Sequence, residues 1–344
     1  MSERKHLLEV NDLTVSFFTY AGEVQAVRGV TWHLDRHETV AIVGESGCGK
    51  SVTIQTVMGL LQCPPGRVMR GSVTFDGRDM LALTPKQLRA VQGNRMSMIF
   101  QDPLSYLNPT MRVGEQIAES YRLHNRCTRG EADARVLEMM RLISFPEPER
   151  NMRAYPHQLS GGMRQRIMVA MALVCRPQVL FADEPTTALD VTIQAQIIEL
   201  MNDLKEKLDT SIVLITHDLG VVANMAQRIY VMYAGKIVER GSARDIFYHP
   251  RHPYTWGLLS SVPRLDVDQH RRFSYIPGTP PDLLNPPKGC PFAARCRHAC
   301  RACADAMPGE QAFGGDDHFA ACWLYEPGAE ALLRQAAEER GTRT

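Results

Sequence analysis

The residues with the plainest chemistry stand eight in a row, Gly44-Glu45-Ser46-Gly47-Cys48-Gly49-Lys50-Ser51. Glycines let backbone N–H groups approach a phosphate with no Cβ in the way. Lys50 reaches terminal phosphates, and the Ser51 hydroxyl is a ligand for Mg²⁺. Such a stretch holds an anion when a strand delivers it and a helix N-terminus follows it. Both are predicted here: Thr39-Val40-Ala41-Ile42-Val43 is short, apolar and β-branched like a buried strand, and residues 52–61, starting at Val52, are apolar and long enough for a helix. The outline is that of a nucleoside triphosphate site.

Further candidates sit where other strands should end. The apolar run Val179-Leu180-Phe181-Ala182 leads into Asp183 and Glu184. Asp183 suits a water-mediated hold on Mg²⁺, and Glu184, facing the other way, suits polarising the water that attacks a γ-phosphate. Met96-Ser97-Met98-Ile99-Phe100 leads into Gln101, which either ligates Mg²⁺, holds the attacking water, or opens a turn before Pro103. Residues 211–216 deliver His217 to a third strand end. Leu159-Ser160-Gly161-Gly162 opens an apolar helix over 167–175 and again offers N–H donors and a hydroxyl to an anion. Asp190 closes the turn Thr186-Thr187-Ala188-Leu189-Asp190 before an amphipathic helix over 191–207. Over residues 8–35 apolar and polar residues alternate, predicting antiparallel strands; Phe17, Phe18 and Tyr20 lie there, and Phe17 is either an adenine-stacking aromatic or a core residue.

The elements that position these residues must come from 344 residues, enough for one large α/β domain and a smaller one. Lys plus Arg number 39 and Asp plus Glu 38, so no global positive field recruits nucleic acid. The longest apolar run, residues 167–175, is far short of the ~20 that span a bilayer, and the N-terminal residues carry no extended apolar core of a secretory signal. The expected place is the cytosol, where thiols stay reduced, so the nine cysteines are not a disulfide framework. Between Gln101 and residue 158 the pattern is helical and loop-rich, with helices over 114–123 and 131–143 and a break at Phe145-Pro146-Glu147-Pro148. It reads as an inserted helical subdomain over about 102–165. From residue 244 onward the chain holds eleven of its 21 prolines and five of its nine cysteines, a small loop-rich appendage rather than more of the α/β core.

The ordered set Gly44 to Ser51, Gln101, Leu159-Ser160-Gly161-Gly162, Asp183-Glu184, Ala188-Leu189-Asp190 and His217 resembles the ATP-binding cassette (ABC) ATPases over residues 7 to about 243. The resemblance implies a RecA-like α/β core with antiparallel-β and helical subdomains over 1–243, and a Cys/Pro-rich C-terminal domain over 244–344. It implies two cassettes sandwiching two ATP·Mg²⁺ head to tail, each phosphate loop facing the other subunit's Ser160, Gly161 and Gly162. By the same resemblance Glu184 is the catalytic base, His217 the γ-phosphate switch, Asp190 the dimer-crossing residue and Phe17 the adenine-stacking residue. One cassette per chain, with no internal repeat, requires a second ATPase subunit, and the subfamily below points to a related heterodimer partner.

His249-Pro250-Arg251-His252-Pro253-Tyr254-Thr255 and Pro277-Gly278-Thr279-Pro280-Pro281 resemble the C-terminal signature of the oligopeptide, dipeptide and nickel importer ATPases. Two membrane permease subunits, contacted by the segment over 104–119, an extracytoplasmic solute-binding protein and a peripheral place on the cytoplasmic face of the bacterial inner membrane follow from that likeness. So does ATP-driven uptake of dipeptides or oligopeptides. Nickel, glutathione or another small solute is the alternative cargo, and a soluble cassette switch is the alternative class. Clustered thiols in a reducing compartment suit a [4Fe–4S] cluster or tetrahedral zinc better than disulfide bridges, with unliganded thiols as the remaining reading, and spacing alone does not choose. The subfamily pattern selects Cys290, Cys296, Cys303 and Cys322, leaving Cys300 as a fifth thiol.

Overall fold

The computed structural model describes residues 6–187, 190–261, 276–314, 317–329, 331 and 334. The expected Ala188 and Leu189 of the turn before Asp190 lie outside them. The chain opens with the antiparallel pair β1 (Leu8–Thr19) and β2 (Gly22–Leu34), followed by β3 (Thr39–Val43) and α1 (Lys50–Val57). The helix predicted over 52–61 therefore ends four residues early. Gly59 takes φ 67°, with its N–H on Thr56 O at 3.0 Å and the Leu60 N–H on Gln55 O at 2.7 Å. This is the left-handed glycine stop with paired back-bonds, which overrides the apolar Leu60-Leu61.

Next come β4 (Gly66–Phe75), β5 (Arg78–Asp79), α2 (Pro85–Val91) and β6 (Met96–Ile99). The helical region holds α3 (Pro103–Tyr106), α4 (Val113–Arg122), α5 (Arg129–Leu142), α6 (Pro148–Asn151) and α7 (Gly161–Leu173). Local chemistry sets its starts: Thr128 and Glu131 form a reciprocal capping box on α5, and Ser160 accepts from Met163 N–H to cap α7. Then follow β7 (Val179–Asp183), α8 (Val191–Leu208), β8 (Ser211–Thr216), α9 (Leu219–Met225), β9 (Arg228–Tyr233) and β10 (Lys236–Ser242). The C-terminal part carries α10 (Ala243–Tyr248), α11 (Pro253–Ser260), α12 (Arg301–Asp305), β11 (Glu310–Ala312) and β12 (Phe319–Ala321).

Among the described residues one sheet has the order β2-β1-β4-β5 and is antiparallel, and a larger one runs β11-β12-β10-β9-β3-β8-β7-β6. From β9 to β6 the larger sheet is parallel. Its central strands are buried on both faces, which is why they read as unbroken apolar runs. In β3, Ala41 and Val43 face a core shared with α4, α5, α7 and α8, while Val40 and Ile42 face a second core shared with α1 and the antiparallel sheet. One expectation changes. The C-terminal appendage is loop-rich, but β12 also pairs with β10, so it extends the central sheet and covers what would otherwise be an open edge. No helix among the described residues is long and apolar enough to cross a membrane.

Candidate functional site

Four parallel strands in spatial succession, β3, β8, β7 and β6, end at one edge of the sheet and deliver the phosphate loop, His217, Asp183-Glu184 and Gln101 to it. The carboxyl edge of a parallel sheet is where ligand chemistry collects in α/β folds. The loop itself needs its glycines. Gly44 has φ 156°, and a Cβ there would lie 2.1 Å from Met232 O; Gly49 has φ 102°, and a Cβ there would lie 2.3 Å from Ala26 O. The loop is thus clamped between β9 and β2 with room for backbone only.

Gly49 stands at the N-cap of α1 and has no side chain with which to cap it, in contrast to Ser160 on α7 and Asp190 on α8. The first-turn N–H groups of α1, with the positive end of its dipole, are left facing the loop's concavity. Lys50 is buried and donates from Nζ to Gly44 O at 2.7 Å and Glu45 O at 3.0 Å. Its ammonium is held over the concavity by the carbonyls of the loop it belongs to.

Opposite it, Ser51 Oγ donates to Asp183 Oδ1 at 3.1 Å. Burial raises the Asp183 carboxyl above its ordinary range, the Ser51 hydrogen bond opposes that, and the neighbouring Glu184 charge adds to it. A hydroxyl and a carboxyl group side by side at a phosphate loop are a donor set suited to Mg²⁺ with a triphosphate, the cation favouring the ionised carboxylate. Glu184 turns away through a left-handed conformation, φ 46°, with its N–H on Ile215 O at 2.8 Å. A non-glycine residue held there costs on the order of 1–3 kcal/mol, which the surrounding structure sustains. Its carboxylate takes Gln101 Nε2 and Thr187 Oγ1 on Oε2, both at 3.0 Å, and meets His217 Nδ1 at 3.1 Å on Oε1. Three strand ends are joined through one carboxylate. Thr187 is the member that sequence reasoning missed, because a threonine in a turn carries no distinguishing signal.

The remaining candidates are placed elsewhere. Ser160 and Gly161 are exposed at the N-terminus of α7, Asp190 is exposed and caps α8 through Ile193 N–H at 2.9 Å, and Phe17 is half-buried in β1 opposite Val24 and Gly66. Among the described residues no hydrogen bond or ion pair joins Ser160, Gly161, Gly162 or Asp190 to residues 44–51. Cys48 is buried within the loop, where burial raises its thiol, and Val52 follows in α1.

A second constellation lies in the C-terminal part. Cys290, Cys296, Cys300, Cys303 and Cys322 line one small cavity beside Trp323. Burial raises Cys290, and pushes Cys296 and Cys322 up to about 12 and Cys303 up to about 11. Cys300 Sγ and Cys303 Sγ are 3.6 Å apart, yet no three of the five sulfurs lie within 4.8 Å of one another among the described residues.

Comparison with known proteins fits this geometry. The family profile described as ABC transporter matches residues 27–187, and that for the oligopeptide/dipeptide transporter C-terminal region matches residues 238–303. The chain is 54% identical over 323 residues to the oligopeptide transport ATP-binding protein OppD of Bacillus subtilis, covering 94% of this chain and 90% of that protein. It is 54% identical over 334 residues to the dipeptide transport ATP-binding protein DppD of the same organism, covering 97% and 99%.

The chain belongs to the ATP-binding proteins of ABC transporters.

As a member of this family it is an ATPase. OppD of Salmonella typhimurium is 53% identical over 302 residues, with 88% of this chain and 89% of that one covered. Among solved structures, the dimeric ATP-binding cassette MJ0796 in a post-hydrolysis state with ADP and Pi superposes with a TM-score of 0.62 at 26% identity, covering 69% of this chain and 99% of that chain. The cbiO1 cassette from Clostridium perfringens superposes with a TM-score of 0.61, also at 26% identity, over 71% and 91%. The cassette fold expected from the sequence is therefore the fold observed.

Proposed function

We propose that this chain is the ATP-hydrolysing subunit of a dipeptide or oligopeptide importer, peripheral to the cytoplasmic face of a bacterial inner membrane. The observation that carries the catalytic part is Glu184, tied to Gln101 and His217 at 3.0 and 3.1 Å beside the Lys50 loop. The peptide part rests on extensive identity to OppD and DppD along nearly the whole chain.

In this reading the loop N–H groups and Lys50 hold the terminal phosphates of ATP. Ser51, Asp183 and Gln101 would hold Mg²⁺, which would supply charge neutralisation to the triphosphate. Glu184 Oε accepts the proton of the attacking water, and His217 contacts the γ-phosphate. Phe17 stacks on the adenine. Ser160, Gly161 and Gly162, at the N-terminus of α7 and unlinked to their own phosphate loop, serve the loop of a second ATPase subunit, with Asp190 beside them. That subunit, a related heterodimer partner, makes each site whole. The segment over 104–119 contacts the two permease subunits, and an extracytoplasmic binding protein delivers the peptide.

The cysteine cavity holds a [4Fe–4S] cluster on Cys290, Cys296, Cys303 and Cys322. The donor set fits: the four thiols line one small cavity, and Cys290, Cys303 and Cys322 are buried. Tetrahedral zinc is favoured less, because Zn–S bonds of about 2.3 Å put its thiolates only about 3.8 Å apart, closer than any three sulfurs here.

The test is the ATPase rate of the assembled, membrane-embedded complex with and without peptide-loaded binding protein. Stimulation by loaded protein supports the importer. Recovery of no permease with the tagged chain, and unchanged hydrolysis, would replace it by a soluble switch. Iron, sulfide and zinc content of the same sample decides the cavity.

A further inference from the structure

We propose that Arg295 is a positioning residue for the phosphate loop, and that through it the cysteine cavity and the nucleotide site are energetically coupled. This rests on reading residues 44–51 as the phosphate site of ATP.

All five donors of the Arg295 guanidinium are engaged. Nη1 donates to Glu45 Oε2 at 2.6 Å and to the Tyr233 hydroxyl at 3.1 Å; Nη2 donates to Glu45 Oε1 at 3.0 Å and to Ile276 O at 3.2 Å; Nε donates to Pro277 O at 2.8 Å. The side chain is 6% exposed. A planar fork that grips both oxygens of a carboxylate fixes orientation as well as distance, which a lysine would not do. Its target is the second residue of the phosphate loop, 250 positions away in sequence.

The neighbour of Arg295 is Cys296, whose thiol lines the cavity. One peptide bond therefore separates the group that grips the loop from a wall of the cavity. A second strut runs in parallel: the Glu45 N–H donates to the Tyr254 hydroxyl at 2.8 Å, and the Tyr254 ring lies 5.3 Å from that of Phe292, another cavity wall. Both struts end on Glu45, whose carbonyl also receives Lys50 Nζ at 3.0 Å. A displacement of the cavity wall is thus passed through Arg295 and Glu45 to the lysine that holds the phosphates. Energetic coupling between two sites is reciprocal, so nucleotide must in turn steady the cavity.

Two measurements on the full-length chain test this. First, affinity for a fluorescent ATP analogue is measured in wild type, Arg295→Met, Glu45→Gln and the double variant, with adenosine competition alongside. Arg295→Met should weaken ATP binding about tenfold, within the roughly 5–150-fold range of ordinary coupling, and leave adenosine affinity unchanged. Arg295→Lys should restore part of the loss. The double variant should bind no more weakly than the worse single one, as partners in one contact do. Wild-type affinity in Arg295→Met, equal losses for adenosine, or additive losses overturn the proposal. If wild type itself binds no ATP, or binds as well with Lys50→Ala, it is the nucleotide-site reading that fails.

Second, and independent of whether Arg295→Met folds, the rate at which iodoacetamide reaches Cys290, Cys296, Cys300, Cys303 and Cys322 is followed by mass spectrometry with and without ATP. ATP should slow alkylation in wild type, and slow it less in Arg295→Lys. No slowing, or the same slowing in both proteins, overturns the coupling.

Discussion

Replacing Glu184 by glutamine removes one charge and almost no volume, so its consequences can be worked from the contacts. The carboxylate's Oε2 accepts from both Gln101 and Thr187, so the amide oxygen of the Glu184→Gln side chain should stay on that side. The amide nitrogen then faces His217 Nδ1, which must accept, placing the imidazole proton on Nε2. Ground-state geometry is kept and a general base is lost. A positioned base contributes about 10²–10⁴ in rate, or roughly 3–5.5 kcal/mol of barrier. Nucleotide binding should move the other way, because the Glu184 charge is one of the causes that raise Asp183, and its removal eases ionisation of that cation ligand. Turnover by phosphate release in the assembled complex should therefore fall about 10²–10⁴-fold, with Mg-ATP affinity equal or tighter. The ¹⁵N shifts of His217 should report the Nε2–H tautomer. Turnover within about tenfold of wild type would remove Glu184 from the base role, and lost ATP binding would show that it serves the loop's structure instead.

Other outcomes follow from buried groups. Asp183 binds a proton more readily folded than unfolded, so from about pH 4 upward through its raised value stability falls as pH rises, and a penalty persists above that window. Asp183→Asn should raise the nucleotide-free melting temperature at pH 7, lose that advantage at low pH, and abolish Mg-dependent ATP binding; melting curves and titrations check both. His252 is lowered to about 4 by burial, against the opposing Glu239 charge, so the unfolded chain takes a proton that the native one refuses. Its contribution should be lost as pH falls from about 6.5 toward 4, worth at most about 3 kcal/mol. His252→Asn, which keeps an acceptor for the Tyr254 N–H, should flatten that dependence in a pH series of denaturation curves. Glu239 is buried in β10 and accepts from Arg251 N–H, His252 N–H and His318 at 2.6, 2.8 and 3.0 Å. Glu239→Ala should cost about 3–5 kcal/mol and hasten proteolysis of the C-terminal part first; a smaller loss would mean that these donors find other partners.

How much of this was legible in the chain differs from residue to residue. The strands leading to Gly44, Gln101, Asp183-Glu184 and His217 could be read because a doubly buried parallel strand is a short unbroken apolar run, which a glycine or a polar residue then breaks. The helix start at Ser160 could be read because its cap bond spans only three residues, whereas Asp190 reads in the sequence as the end of a turn and the structure shows it capping α8 as well. Tertiary structure alone decided that Glu184 gathers Gln101, Thr187 and His217, that β12 closes the open edge of β10, and that Arg295 grips Glu45. Such pairings join residues with no common period, and a long-range contact depends on where the sheet order places two chain ends, which no local pattern encodes. The glycine stop at Gly59 shows the same limit at short range: Leu60 and Leu61 extended the apolar run, and the backbone turned because glycine alone takes that φ without strain.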